Sequence, residues 1–176
     1  MQSMTVGVWG FKRSSEDTPP EIFERLRNIH PNVVIQLMNA KFVAGLDHVS
    51  KIAFQVSMDM RKENLLANRE ELHLLMKMTC QDQIEQAIKV GGLGRESSDL
   101  VAIGLGKKRD IEKVSRTLNE LFGSDADRIV LLTPSRKKFL MSFHRIPVEL
   151  VNRLEKRGMD ITDILAEKAA LLCLGD

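Results

Sequence analysis

Apolar residues return at helical spacing along most of this chain, and only four short runs break that rhythm. Thr5 to Phe11 alternates small apolar residues with glycine. Val33 to Met38 is rich in β-branched side chains, and Asp99 to Leu105 and Ile129 to Leu132 have the same character. Such runs suit a pleated, half-buried surface, so they predict four strands. A chain with so little strand and so much amphipathic helix has few ways to bury its apolar surface. The reading is a single α+β domain over residues 1–176, a small mixed β-sheet flanked by multiple α-helices.

Local signals punctuate the helices. Thr18-Pro19-Pro20-Glu21 carries a capping residue, a proline suited to the first turn and a capping-box acid. Ser14 to Thr18 before it reads as a loop. A long helix is expected from about Val43 to Met60, with Leu46, Val49, Ile52, Ala53, Val56 and Met60 on its inner face. Asn68 with Glu71 predicts the next start, and Thr79 with Asp82 another. Gly91-Gly92 predicts a stop through a left-handed cap. Asp110 opens a helix ended by Gly123, Thr133-Pro134 caps one through Phe143, and two more follow Pro147 and Asp160.

Composition narrows the function classes. Net charge is only +2 over 176 residues, which argues against a uniformly polybasic nucleic-acid binder but leaves room for a local basic face. Cys80 and Cys173 are too few for a disulfide framework and read as buried, reduced thiols. The start lacks a signal-peptide pattern, and charges interrupt every apolar stretch, so a cytoplasmic, non-membrane protein is expected. With no tyrosine and one tryptophan, the chain has few stacking platforms for single strands.

Catalytic patterns are thin. His30, His48, His73 and His144 have no partners at metal-ligand spacing, and there is no C-x-x-C. His73 and Cys80 lie seven residues apart on one expected helix, roughly two turns or about 10 Å, too far for a thiol–imidazole pair. Gly104-Leu105-Gly106-Lys107 follows a strand but lacks the glycine spacing and Lys-Ser/Thr pair of a phosphate loop. Two basic clusters, Lys107-Lys108-Arg109 and Arg136-Lys137-Lys138, stand at expected helix starts, where cations oppose the dipole, and so suggest phosphate binding.

Several segments then fall into one order. Asn39-Ala40-Lys41-Phe42-Val43-Ala44-Gly45-Leu46-Asp47-His48 is followed by Asn68-Arg69-Glu70-Glu71-Leu72. Met78 to Ile88, with Gln83-Ile84 and Ala87-Ile88, comes next, then Gly92-Leu93, the run Asp99 to Leu105, and the closing Glu167-Lys168-Ala169-Ala170-Leu171-Leu172. In order and spacing these resemble the Cgi/TPRKB family, the small subunit of the KEOPS complex, in its archaeal form. The resemblance covers roughly residues 33 to 174.

The resemblance implies a small sheet flanked by helices, no catalytic residues, no cofactor and no metal. It implies docking on the Bud-type kinase-like ATPase of KEOPS, with other KEOPS subunits reached indirectly. It also implies tRNA binding through the 3′ CCA end, in support of N6-threonylcarbamoyladenosine formation at tRNA position 37. One departure stands out: Asp82 occupies a position where relatives often have arginine. An acid there repels phosphate. The expected tRNA contacts are therefore Arg61, Arg69 and Lys77, with Thr79 and Gln83 supplying polar groups at the helix start. For the kinase, the apolar arc of Ile161, Ile164 and Leu165 is expected to dock. Two other functions compete: a protein–protein scaffold without RNA affinity, and a small nucleotide-binding enzyme using the Gly104 to Arg109 turn.

Overall fold

A computed structural model describes residues 4–12, 19–94 and 99–174. Three of the expected strands form. β1 (Thr5–Lys12) and β2 (Val34–Asn39) flank β3 (Asp99–Gly106), in the order β1-β3-β2. Both pairings are antiparallel, Thr5 opposite Gly106 and Val34 opposite Leu105. The α+β class holds, but the sheet is antiparallel rather than mixed. β1 and β2 run the same way yet never pair, because β3 lies between them.

Strand alternation sorts the core into two layers. Leu100 and Ala102 of β3 join Phe11, Ile35 and Leu37 on one face, under α1 (Pro19–Ile29) and α5 (Lys108–Phe122). Val101, Ile103 and Leu105 face the other way with Met38. Those residues meet α2 (Leu46–Arg61), α3 (Glu70–Thr79), α4 (Ile84–Gly91), α6 (Pro134–Phe143), α7 (Val148–Glu155) and α8 (Ile161–Leu171). Leu46, expected inside, is the first residue of α2 and is exposed, because the helix end overhangs the core.

The fourth expected strand does not form. Asp127–Ile129 is a 3-10 turn instead, and Ile129 and Val130 are buried against the sheet, not paired within it. Arg136 decides this: its guanidinium donates to the carbonyls of Ile129 (2.8 Å), Leu131 (2.9 Å) and Val43 (3.2 Å), taking the acceptors a ladder needs. The turn is also fastened to β1, where Ala126 N–H donates to Gly10 O (2.8 Å) and Gly10 N–H to Asp125 Oδ1 (2.7 Å). A Cβ on Gly10 would fall 2.7 Å from the Ile129 Cβ, so this approach requires glycine.

Local capping chemistry sets several ends. The Thr133 hydroxyl accepts from Arg136 N–H, with Pro134 in the first turn of α6. Asp160 and Asp163 form a reciprocal capping box at α8. Two expected starts move: Arg69, not Asn68, is the N-cap of α3, and Gln83 is that of α4. Gly92 has φ −69° and is extended, whereas α3 closes on a left-handed residue, Cys80 (φ 50°). The Thr18 cap and the loop before it lie outside the described residues.

Candidate nucleic-acid interface

Five elements deliver one cleft. Lys12 ends β1, and its cross-strand partner Asp99 begins β3. Lys41 sits on the 3-10 turn Ala40–Phe42, whose first turn is held by Asn39 accepting from Lys41 N–H at 3.0 Å. Arg128 comes from the Asp127–Ile129 turn, and Arg136 and Ser135 from the start of α6. Together they line about 740 Å³ of open space, with Phe139 on the apolar side. Phe139 is held in place by Phe42, edge-on at 5.4 Å.

Charge is lopsided here. Among the described residues, Lys12, Lys41, Arg128 and Arg136 face a single lining carboxylate, Asp99. Lys12, Lys41 and Arg128 make no ion pair among the described residues. Arg136 is half-buried and spent on carbonyls, and desolvation lowers its pKa. The Thr133 and Ser135 hydroxyls lie 3.1 Å apart at the positive end of α6. Exposed cations, hydroxyls and a helix N-terminus around one hollow suit a phosphate backbone.

The residues expected to bind tRNA are not brought together. Arg61, Arg69 and Gln83 are exposed. Arg69 precedes α3 and Gln83 follows it, and a ten-residue helix separates its ends by about 15 Å. Lys77 and Thr79, expected at the surface, are instead 1% and 0% exposed, and neither reaches a surface ligand. The Thr79 hydroxyl donates back to Leu75 O at 2.8 Å. The expected docking arc is also core, with Ile161, Ile164 and Leu165 at 1%, 7% and 0% exposure. Their stripe packs on the domain itself. Of the basic clusters, Lys107 to Arg109 is exposed, while Lys137 pairs with Glu155.

Lys77 belongs to a buried polar knot invisible in the sequence. Its ammonium lies 3.0 Å from Asp59 Oδ2, which also meets His73 Nε2 at 3.1 Å and the Cys173 thiol at 3.5 Å. His73 Nδ1 accepts from Leu66 N–H (3.1 Å), so the ring is neutral with its proton on Nε2. Burial lowers the His73 pKa, in keeping with that state. The ligand atoms of Asp59, His73 and Cys173 lie within 4.8 Å of one another, as a metal site would need. Both His73 nitrogens are engaged, however, and the Lys77 cation already balances Asp59. The arrangement suits a structural ion pair better than a divalent ion.

The remaining chemistry-bearing groups serve packing. Burial pushes the Cys80 thiol up to about 12, far from a reactive thiolate. His73 does not meet Cys80; its thiol neighbour is Cys173. Burial pushes His48 down to about 3 and His144 to about 4. His48 Nδ1 accepts from Ala44 N–H at 3.2 Å, bracing the entry to α2. Gly104 lies inside β3, where a Cβ would come within 3.1 Å of both Trp9 and Ile111. That glycine admits the indole ring, so the turn after it gains no phosphate-loop character. Among the described residues, no helix is long and apolar enough to cross a membrane. No family model matches the chain, and no curated protein matches it either.

Proposed function

We propose that this chain is a non-catalytic tRNA-binding adaptor of the KEOPS type, supporting N6-threonylcarbamoyladenosine formation at tRNA position 37. The observation that carries the reading is the convergence of Lys12, Lys41 and Arg128 beside the α6 N-terminus, against one lining acid among the described residues. The family resemblance carried by the motifs from Asn39 to Leu172 implies the more specific part of this reading: the 3′ CCA contact, the kinase-like partner and, with them, a cytoplasmic setting. A gel shift tests the RNA half. The chain should bind tRNA more weakly as salt rises and more weakly again when the CCA end is removed. Charge reversal at Lys12, Lys41 and Arg128 should abolish the shift with an unchanged melting temperature. Undiminished binding by that variant would move the RNA face elsewhere, and no binding by the native chain would leave a protein scaffold.

The docking half needs a new surface, since the α8 residues are core. The groove between α6 and α7 fits it: about 660 Å³, with Met141, Ile146 and Val148 along it and Lys138 and Arg145 beside them. An apolar ridge with acidic flanks on the kinase-like ATPase would match it. Val148 is 57% exposed, so Val148→Glu should fold normally and yet lose co-purification with that ATPase. Retention at native yield would clear the groove of this role.

A further inference from the structure

At the free edge of β2 the two helical layers do not close. α1 approaches from one side and α3 and α4 from the other, leaving a cleft of about 430 Å³ walled by Phe23, Leu72, Leu75, Ile88 and Leu93. Gln36 of β2 forms its floor and is 2% exposed, a polar residue between Ile35 and Leu37 in an otherwise apolar strand interior. Its Nε2 donates to Leu37 O at 2.7 Å. That bond fixes the amide orientation, because the reverse would set two oxygens against each other. Gln36 Oε1 is consequently a buried acceptor that finds no donor among the described residues.

Among the described residues, the mouth of the cleft carries Arg27 and Arg69 against Glu24 and Glu71, two cations and two carboxylates whose charges cancel. Arg27 and Glu71 are paired at 2.9 Å. Such a mouth gives no advantage to an anion and offers no surplus cations to the phosphates flanking a base in a nucleic-acid strand. What it selects on is shape, apolar surface and one hydrogen bond.

We infer that this cleft is a small-molecule site for a flat, mainly apolar ring bearing one N–H donor, which Gln36 Oε1 accepts. The site is separate from the basic cleft, and it stands or falls independently of RNA binding. The Gln36 acceptor supplies specificity, since a ring without the donor leaves that oxygen unpaired in an apolar setting. Apolar contact with Phe23, Leu72 and Leu93 supplies the affinity.

Indole, 1-methylindole and indole-3-acetate test the inference on the full chain, with amide chemical shifts as readout. Indole should bind in about the millimolar range and shift the Leu72 and Leu93 amides. 1-Methylindole, which lacks only the donor, should bind about tenfold more weakly. In Gln36→Leu that preference should vanish, and leucine suits both the strand and the apolar walls. Indole-3-acetate should bind no more tightly than indole, and excess tRNA should not displace it. Equal affinity of the native chain for indole and 1-methylindole overturns the inference without recourse to any variant. So does absence of shifts at those residues, a preference that survives Gln36→Leu, tighter binding of the acetate, or displacement by tRNA.

Discussion

A buried ammonium persists only beside a carboxylate that stays ionised. Lys77→Met leaves Asp59, which is 15% exposed, with a neutral histidine and a thiol in place of its cation. The expected loss is about 3 kcal/mol in urea denaturation, as for other buried pairs broken on one side. Asp59→Leu combined with Lys77→Met should recover most of it, since an apolar pair needs no desolvated charge. Neither change should alter RNA affinity at equal folded concentration. The histidines set the response to acid. Folding keeps His48, His144 and His73 neutral, while the unfolded chain protonates each near 6.5. Stability is therefore full above pH 6.5 and falls as pH drops, by up to about 1.4 kcal/mol per unit for each histidine. The fall continues to about 4 for His144 and about 3 for His48. His48→Gln should shallow the slope by one proton's share, which unfolding curves at several pH values measure. The Lys51 bonds to Asp47 and Asp163, whose pKa values they lower, contribute above the ordinary 3.8 and give way only below it. Their loss is a separate, more acidic step.

α8 shows what an element can and cannot announce. Its start is written locally, and Asp160→Ala, which removes half of the capping box, should cost about 1 kcal/mol. Its inner face was ambiguous, because Ile161, Ile164 and Leu165 span an arc wide enough for core and partner alike. Packing assigns all three to the core, so Ile164→Glu should lower the melting temperature by about 10 °C or more, for a burial cost of about 4 kcal/mol. A folded, native-like Ile164→Glu protein would contradict that packing. The same division runs through the chain. The Thr133 and Asp160 caps and the three strands were legible, because capping and alternation depend on near neighbours. Ile129 to Leu132 was not, because its carbonyls are claimed by Arg136 from the following helix. Lys77 read as a surface cation because its partner Asp59 lies on another helix. Of the basic cleft only the Arg136 cluster at the start of α6 was legible, since β1, β3 and two 3-10 turns each contribute the other charges separately.

Over the whole molecule, 26 basic residues nearly cancel 24 acidic ones, so no uniform field draws RNA to this surface. Attraction must come from local surplus, and within about 8 Å at physiological salt such a surplus is felt while more distant charges are screened. The basic cleft is such a place. If tRNA phosphates displace counterions there, each engaged cation steepens the logarithmic dependence of affinity on salt by about 0.7 to 0.9. Replacing Lys12, Lys41 and Arg128 by glutamine should therefore flatten the slope by about 2 to 3, while Arg61→Gln with Arg69→Gln should change it by less than about 1. Titrations of labelled tRNA across a salt series give both slopes, and slopes resist errors in active concentration that distort a single affinity. If the Arg61 and Arg69 pair proves to carry the larger share, the strand follows the junction of α2 and α3. A flat slope in the native chain would mean that its cations are solvated rather than engaged, and that its partners are proteins.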